Sequence, residues 1–525
     1  MGAASLQLGC RIYCDGEYGT VLYIGLIDGV EGTWVGIEWD NPTRGKHSGS
    51  YNNRKYFETR IPNAGSFIKI SKAETGISCP NAIKLKYGKD GATSATFINL
   101  PQKTGRERHI EMVGMEKIMG KQSNYLCLTD VVLSRTFVNG PGDKNELLEL
   151  TPNIRNLDLS ENLLSSWCDV IAIAEQLPHL SSLILSKNRL KLIKQPSIQE
   201  CFSVLKMLVM NEMAYSWKEI LSCASMCPFV EQLFVVSNKI TELEAPLPPI
   251  FSQLTMLSLN HNPIGEWTEI CKLGSLTNLT ELHVNNINLQ SISFPKTPPL
   301  EKTELFSNLQ TLYVQYNNLN QWQDITELNK LRKLKNLTIS HNPVVETVKP
   351  ETARQFTIAK IIELEMLNRT KIERFERRGA ELDYIKLHHK EWIANGGSSD
   401  LNGSKLSESF LRQHPTYCSL VQKHGASDGN EIKEEKLVLK DDLLSVIIFS
   451  PLLPDKPSVT KKLPAEMTVG KLKALVQRLF KVSAQNVLLT HISKENELQK
   501  TIMDNNLREL SFYSISNQDK IAVEW

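Results

Sequence analysis

The sequence has no long apolar run, few cysteines and almost no net charge. No stretch approaches the about 18 consecutive apolar residues of a membrane-spanning helix, so we predict none. Lys and Arg number 60 and Asp and Glu number 58 in 525 residues, giving a net charge of +2. This balance argues against a protein dedicated to nucleic acid or to a membrane surface. The ten cysteines form no CxxC pair, so we expect reduced thiols in a cytoplasmic protein.

Catalytic motifs are also missing. The eleven histidines are scattered, and no Ser/His/Asp or Cys/His set follows a known arrangement. Residues 114–121 resemble a phosphate-binding loop only loosely, because five residues separate the glycines and Gln122 stands where Ser or Thr is needed. We therefore expect no enzyme, no cofactor and no bound metal.

What the chain does have, in its middle, is a repeat of the form L-x-x-L-x-L-x-x-N-x-L. Eight copies begin at Ile154, Leu180, Leu205, Val230, Leu254, Leu279, Leu309 and Leu334. A ninth, degenerate copy begins at Leu128. One such unit cannot bury its own leucines, whereas stacked units share a continuous core. The pattern predicts a leucine-rich repeat solenoid over residues 128–345.

Two further patterns accompany the repeat. A buried asparagine is expected to satisfy backbone groups in the turns at Asn162, Asn188, Asn238, Asn262, Asn317 and Asn342. Met213 and Ile287 replace it in two repeats, where we expect irregularity. Tryptophans recur in alternate repeats at Trp167, Trp217, Trp267 and Trp322, and we interpret them as packing over the core at helix starts.

The concave strand face of a solenoid is its usual binding surface. Phe234, His283 and Tyr313 occupy exposed strand positions and form a candidate protein-binding stripe, since aromatic residues are enriched in interface cores. After the last repeat, residues 346–394 are predicted to form a helical cap, with 351–392 helical throughout, because a solenoid end must be covered.

The N-terminal segment, residues 8–72, alternates apolar and polar residues between many glycines, which predicts a small antiparallel β barrel. It contains the strings GTWVGIEWDNP, GKHSG and GSFIK. These resemble the CAP-Gly domain, whose groove motif is normally GKNDG. The resemblance implies recognition of acidic C-terminal tails that end in an aromatic residue, such as that of α-tubulin.

The residues themselves suit such a ligand. From Asn41 to Lys72 there are seven basic residues and one acidic residue, a local charge of +6 that would attract a glutamate-rich tail. Glycines permit close approach of the backbone, Lys46 can pair with carboxylates, and Trp34 can line a pocket for the terminal aromatic. The predicted tail-binding residues are Trp34, Gly45, Lys46, His47, Ser48, Gly49, Phe67 and Lys69.

The remaining segments are two connections and a C-terminal domain. Residues 73–127 are polar, with a basic patch at 103–109, and are predicted to be a linker with some helix. Residues 395–436 are predicted to be a flexible linker with short helical pieces. Residues 437–525 have the strand and helix order of a ubiquitin-like domain. The chain ends at Trp525 without Gly-Gly, so we expect a docking module rather than a conjugated modifier.

The sequence thus predicts a multidomain protein: a small all-β CAP-Gly barrel, an α/β leucine-rich repeat solenoid with a helical C-terminal cap, and an α+β ubiquitin-like (β-grasp) domain. This order resembles the tubulin-folding cofactor E (tubulin-specific chaperone E) family. The resemblance implies a non-enzymatic cytoplasmic, cytoskeleton-associated chaperone. It also implies that the chaperone binds α-tubulin and promotes assembly of the αβ-tubulin dimer, and its dissociation under some conditions.

The partners implied by the resemblance are α-tubulin, the αβ dimer and other tubulin-folding cofactors, namely a β-tubulin-loaded cofactor and a cofactor B-like CAP-Gly protein. Nucleic acid and membranes are not expected partners. Two alternatives stay open on the sequence alone. The first is a microtubule-end or centrosomal CAP-Gly adaptor. The second is a regulator of phosphatases or GTPases, which capped leucine-rich solenoids also serve.

Overall fold

The chain divides into two compact units, Met1–Ser427 and Asp428–Trp525. The computed structural model describes residues 6–88, 97–101, 107–111, 124–194, 200–398, 406–425 and 443–525, the last without 455–456, 465–466, 483–486, 495–499, 504, 507, 514 and 516. Within these residues, no helix combines the length and apolar character that crossing a membrane requires.

The N-terminal part is a small antiparallel β domain, as predicted. Its strands are Arg11–Cys14, Glu17–Ile27, Val30–Trp39, Ser50–Tyr51, Arg54–Lys55 and Gly65–Lys69. The first three and the last form one sheet in the order first, second, third, sixth, and the two short strands pair as a hairpin. Because side chains alternate along a strand, Val35, Ile37 and Trp39 point into the core.

The segment that follows the β domain is joined to the solenoid. Strand Ile77–Ser78 pairs in parallel with Val138–Gly140, and helix Cys79–Tyr87 buries Cys79 and Ile83 in the solenoid core. The helix predicted within the linker 73–127 is present, but residues 77–87 belong to the solenoid and are not a free connection. Farther on, Phe97–Pro101 and Glu107–Glu111 pair as a hairpin. Residues 103–106 of the basic patch and the glycine loop at 114–121 lie outside the described residues.

The solenoid is a parallel sheet, and short helices connect its strands. Its parallel strands are Asp130–Val132, Asn156–Asp158, Ser182–Ile184, Met207–Val209, Gln232–Phe234, Met256–Ser258, Glu281–His283, Thr311–Tyr313, Asn336–Thr338 and Met366–Leu367. The helices between them are Glu146–Leu150, Trp167–Ala174, Trp217–Ala224, Trp267–Cys271 and Trp322–Leu328. The central residue of each three-residue strand, which is Val131 in the first strand and leucine in the others, pairs with that of the next and is buried, which makes one continuous core.

The recurrent asparagines of the repeat form a ladder of hydrogen bonds, which we call the asparagine ladder. It provides partners for backbone groups that are buried in the turns. The Nδ2 atom of Asn262 donates to the carbonyls of Val235 and Leu259, both at 2.9 Å, and its Oδ1 accepts from the amides of Asn238 at 2.8 Å and Ile240 at 3.1 Å. Each ladder asparagine thus links its own turn to the preceding repeat. At Met213 and Ile287 an apolar side chain is buried instead, so the ladder is interrupted where the sequence predicted.

The four recurrent tryptophans each begin a helix on the side opposite the strands. Trp167, Trp217 and Trp267 are almost fully buried and Trp322 is half-buried, which supports packing rather than ligand binding. Capping boxes precede three of them: the carboxylates of Asp169, Glu219 and Asp324 accept from the amides of Ser166, Ser216 and Gln321, at 2.9, 2.7 and 3.2 Å.

The C-terminal cap is more divided than predicted. In place of one helix over 351–392, the structure has helices Pro343–Glu346, Pro350–Lys360 and Arg374–Ala394, with a hairpin of Met366–Leu367 and Thr370–Lys371 between the last two. The interruption arises because Met366–Leu367 adds one more parallel strand beside Asn336–Thr338 and buries Leu364 and Leu367 like another repeat.

A further pair of helices extends the cap. Helices Glu408–Gln413 and Tyr417–His424 bury Phe410, Tyr417 and Leu420 against Trp392 and its neighbours. The short helical pieces predicted within 395–436 are present, but residues 406–425 pack into the cap and are not a flexible connection. The Gly- and Ser-rich flanks dominated the composition of this segment and hid the apolar positions between them.

The second unit has the predicted α+β arrangement. Its strands are Leu443–Phe449, Val459–Pro464, Leu488–Ile492, Lys500–Ile502 and Lys520–Glu524, and its helix is Val469–Phe480. The first and last strands are parallel neighbours at the centre of the sheet. As predicted, the Thr468 hydroxyl caps the helix by accepting from the amide of Lys471 at 3.4 Å. The short strand Lys500–Ile502 was not predicted.

Candidate functional site: an aromatic groove and the solenoid face

The loop at residues 45–49, the groove loop, is fixed to the strand Gly65–Lys69, the groove strand. The amides of Lys46 and His47 donate to the Gly65 carbonyl at 2.7 and 3.2 Å, and the Gly65 amide donates back to the His47 carbonyl at 2.8 Å. A Cβ atom at Gly45 would lie 2.0 Å from the Asn63 carbonyl oxygen, so only glycine fits. The loop is thus held by backbone geometry.

Gly49 closes the loop against the chain that follows the hairpin. Its φ of +105° is a backbone conformation that favours glycine, and an added Cβ would lie 2.1 Å from the Phe57 carbonyl oxygen. The Gly49 carbonyl accepts from the amides of Tyr56 and Phe57, at 2.9 and 3.3 Å. The spacing of Gly45 and Gly49 therefore has a structural requirement at each end.

An aromatic cluster surrounds Phe67 beside this loop, and we call it the aromatic groove. From the ring centroid of Phe67, the neighbouring rings are His47 at 5.0 Å, Phe57 at 5.2 Å, Tyr56 at 5.6 Å, Tyr23 at 6.2 Å and Tyr51 at 6.5 Å. Phe67 is half-buried and Tyr51 is exposed, so the cluster opens to solvent. Such a surface suits an aromatic side chain of a ligand.

The predicted site residues share one face of the sheet. Trp34 pairs with Lys69, and Gly36 pairs with Phe67, so alternation puts Trp34, Phe67 and Lys69 on the same side, next to the groove loop. The Trp34 indole Nε1 donates to the Glu31 carbonyl at 3.2 Å and leaves the ring half-exposed. The structure therefore brings all eight predicted residues to one region.

Four groove residues, Tyr23, Tyr51, Tyr56 and Phe57, were not among the site residues predicted from the sequence. Tyr23 lies opposite Gly36, where a Cβ would be 2.4 Å from the Phe57 ring. The sequence signal was Gly36, a glycine inside an otherwise apolar strand, because such a glycine often leaves space for a neighbouring aromatic ring.

His47 stands where the CAP-Gly motif has asparagine, and its environment sets its tautomer. Its Nδ1 accepts from the Gly49 amide at 3.0 Å, which places the proton of the neutral ring on Nε2. Burial, and then the positive charge of Lys46, lowers the pKa of His47 below its usual value. The ring therefore braces the loop through one nitrogen and can donate through the other.

Ser48 stands where the motif has aspartate. Its hydroxyl accepts from the Asn63 amide at 2.8 Å, so the loop keeps a polar brace without a carboxylate. Because an acidic ligand would be repelled by a carboxylate here, serine also leaves the loop less negative.

The charge of this region is smaller than the sequence window indicated. Five of the seven bases between Asn41 and Lys72 pair with acids: Arg44 and Lys72 with Asp15, each at 3.8 Å, Arg54 with Asp28, Lys55 with Glu58 at 2.8 Å and Arg60 with Glu38 at 3.0 Å. Three of these four acids precede the window, and residues 8–73 together hold eight bases and seven acids.

The prediction of a strongly cationic trough is therefore wrong in magnitude. Lys46 and Lys69 make no ion pair with any residue that the structure describes, and both are exposed at the groove. The electrostatic attraction of an acidic ligand thus rests on these two side chains rather than on seven.

The β domain is docked on the first turns of the solenoid. The Tyr18 hydroxyl donates to the Glu161 carbonyl at 3.2 Å, and the rings of Tyr13 and Phe137 lie 4.8 Å apart. These contacts fix the direction in which the groove faces relative to the repeats.

The solenoid stripe is divided in two. Phe234, His283 and Tyr313 are half-buried in one row of the strand face, but Ser258 lies between Phe234 and His283 in the strand register. The rings of His283 and Tyr313 are 4.2 Å apart, and His283 Nε2 lies 2.6 Å from the Glu281 carboxylate. Ile184 and Val209 continue the row on the other side of Phe234, which makes an apolar half and a polar half.

Comparisons with known proteins cover the whole chain. The CAP-Gly domain model matches residues 8–73, and the ubiquitin-like domain model matches residues 443–524. Tubulin-specific chaperone E of Xenopus laevis is 40% identical over 518 residues, which is 98% of each chain. The Homo sapiens protein of the same name is 37% identical over 524 residues, covering 99% of this chain and 98% of its own.

A solved structure also matches one part of the chain. The solution structure of the C-terminal ubiquitin-like domain of mouse tubulin-specific chaperone E is 36% identical, covers 16% of this chain and 87% of that one, and has a TM-score of 0.16.

Proposed function

Because the chain belongs to the tubulin-specific chaperone E family, we propose that it is a tubulin-folding cofactor that binds α-tubulin and promotes assembly of the αβ-tubulin dimer. The observation that carries this proposal is the match over 98% of both chains, which spans the β domain, the solenoid and the ubiquitin-like domain together. An adaptor that shared only the CAP-Gly domain would match over a small fraction of that length, so the relatives favour the chaperone over the adaptor.

In this proposal the aromatic groove takes the acidic C-terminal tail of α-tubulin. The eight predicted tail residues would act together: Lys46 and Lys69 would pair with tail carboxylates, and Phe67 and Trp34 would contact the terminal aromatic. The Nε2 proton of His47 would provide a neutral donor for the tail. The absence of ion pairs at Lys46 and Lys69 among the described residues supports their availability.

The body of α-tubulin would bind the strand face of the solenoid. The apolar half around Phe234 and the polar half around His283 and Tyr313 would serve as two parts of one interface. Since the groove is docked on the first repeats, tail binding would raise the effective concentration of the tubulin body at this face. Preference for free α-tubulin over the dimer would then shift the equilibrium towards dissociation, whereas transfer of the held α subunit to a β-tubulin-loaded cofactor would yield the dimer.

The partners in this proposal are α-tubulin, the αβ dimer, a β-tubulin-loaded cofactor and a cofactor B-like CAP-Gly protein. The family name supports a chaperone rather than an enzyme, and any GTP hydrolysis in the assembly would belong to tubulin or to another partner. We place the protein in the cytoplasm, in association with the cytoskeleton through soluble tubulin.

Two measurements on the full-length chain test this function. With labelled αβ-tubulin, the chain is expected to accelerate exchange of α subunits between dimers, and it is expected to stay in the supernatant when microtubules are pelleted. Co-pelleting with microtubules in the absence of any effect on subunit exchange would instead support the adaptor and contradict the proposal.

A further inference from the structure

A cluster of two histidines and a glutamate lies in the cap, away from the groove and the solenoid face. His388 and Glu391 are three residues apart on helix Arg374–Ala394, so they project from the same side of it. His414 ends the neighbouring helix Glu408–Gln413 as its C-cap residue. The cluster therefore bridges the long cap helix and the segment that follows it.

The distances within the cluster fit a metal better than they fit hydrogen bonds. The Glu391 carboxylate oxygen lies 3.3 Å from His388 Nδ1 and 3.4 Å from His414 Nε2, and the ligand atoms of all three lie within 4.8 Å of one another. Charge-assisted hydrogen bonds are shorter, at about 2.7–2.9 Å. A tetrahedral zinc ion with bonds of about 2.0–2.1 Å sets its ligand atoms about 3.4 Å apart.

A buried partner orients the His414 ring. The Tyr384 hydroxyl lies 2.6 Å from His414 Nδ1, and both residues are buried, which leaves Nε2 directed at Glu391. The His388 and His414 rings are packed with centroids 4.1 Å apart. Metal-binding histidines characteristically use their other ring nitrogen in this way.

The protonation state also suits ligation. Burial is the largest cause that lowers the pKa of His414, to about 3, and burial likewise lowers the pKa of His388. Both shifts favour the neutral ring, which is the form that binds a metal. Lys360 is a neighbouring cation whose charge also lowers the pKa of both histidines; its Nζ lies 5.5 Å from the Tyr384 ring centroid and donates to the Thr326 hydroxyl at 2.9 Å and the Gln413 carbonyl at 3.0 Å.

We propose that His388, Glu391 and His414 form a binding site for one zinc-class divalent cation. The three side chains supply two nitrogens and one oxygen, a ligand set typical of zinc, and Glu391 is exposed enough for water to take the fourth position. The bound ion fastens residues 406–425 to helix Arg374–Ala394 and so stabilises the end of the solenoid.

The test uses the full-length chain, titrated with Zn²⁺ and separately with Co²⁺ as a spectroscopic probe. We expect one high-affinity ion per chain and visible cobalt bands of a four- or five-coordinate site, with no near-ultraviolet thiolate-to-cobalt band. His388→Gln and Glu391→Gln are each expected to weaken zinc binding at least about tenfold. His389→Gln is the matched control, because His389 is the next residue of the same helix but lies outside the cluster.

Glu391→Gln preserves side-chain shape and is partly exposed, so it guards against loss of binding through misfolding. Amide exchange gives an independent readout: zinc should slow exchange over residues 408–424 in the unmodified chain and in His389→Gln, but not in Glu391→Gln. The proposal is overturned if no ion binds, if a thiolate band shows that cysteines hold the cobalt, or if His388→Gln and His389→Gln bind zinc equally.

Discussion

The aromatic groove and the strand face of the solenoid are both candidate protein-binding surfaces, but they are built in opposite ways. The groove is one loop whose shape depends on two glycines and a few backbone hydrogen bonds. The strand face repeats one short strand many times, and each repeat contributes one or two side chains. Loss of function should therefore be concentrated at single positions in the groove and distributed over many positions in the solenoid.

The sharpest test of this contrast is Gly49→Ala. The methyl group would meet the Phe57 carbonyl oxygen in a backbone conformation that disfavours alanine, at a cost of about 3 kcal/mol. We expect binding of an acidic peptide with a terminal aromatic to fall more than about tenfold, measured by calorimetry. Gly16→Ala is the control, since Gly16 has a similar φ, +93°, but open space around it. Equal effects of the two changes would show that the loop is not held by this contact.

A second substitution tests how much the asparagine ladder contributes to the stability of the solenoid. Asn262→Ala removes acceptors and donors that serve the preceding repeat, and leaves buried backbone groups without partners. We expect the free energy of unfolding to drop by about 2 kcal/mol, measured by denaturant titration, because buried unsatisfied groups are costly. Asn278→Ala, which removes a single hydrogen bond of an exposed side chain, should cost less. A similar loss in both variants would contradict the role of the ladder.

Charge at the groove should matter less than its shape. Lys46→Ala is expected to weaken binding of the acidic peptide about fivefold at low salt, and less at high salt, because exposed charge pairs contribute up to about 1 kcal/mol and are screened. Lys55→Ala is the matched control, since Lys55 already pairs with Glu58. If Lys55→Ala were as damaging as Lys46→Ala, attraction would depend on the total charge of the domain rather than on Lys46 and Lys69.

The smallest single effect is expected on the strand face. Phe234→Ala should weaken binding of tail-less tubulin about threefold, because the contact is shared among repeats and few interface residues are individually strong. Phe229→Ala is the comparison, as Phe229 is exposed but precedes the strand. If Phe234→Ala lowered the affinity a hundredfold, the solenoid would depend on single residues as strongly as the groove does, which would contradict the proposed difference.

Structural features were predicted most accurately from the sequence where a pattern repeats, or where a residue type fits only one kind of local geometry. The repeat register, the ladder asparagines, the tryptophans and the Thr468 cap follow from periodicity and hydrogen-bonding chemistry alone. The close approaches at Gly45 and Gly49 likewise agree with what the motif required.

The wrong predictions came from sequence segments that were considered without the rest of the chain. The charge of +6 disappeared because the neutralising acids Asp15, Asp28 and Glu38 lie earlier in the chain and meet the bases only across the sheet. One long cap helix was predicted because Leu364 and Leu367 fit helical spacing as well as they fit another repeat. His388 and His414 are 26 residues apart in the sequence, and no motif around either residue indicated that their rings would be in contact.

The central claim, that groove and solenoid capture one tubulin subunit at two points, is tested most directly by the affinity of the full-length chain for tubulin with and without the α-tubulin tail. We predict that removing the tail weakens binding about tenfold, and that combined Lys46→Ala and Lys69→Ala substitution weakens binding of intact tubulin but not of tail-less tubulin. Equal affinity of the unmodified chain for intact and tail-less tubulin would contradict the account.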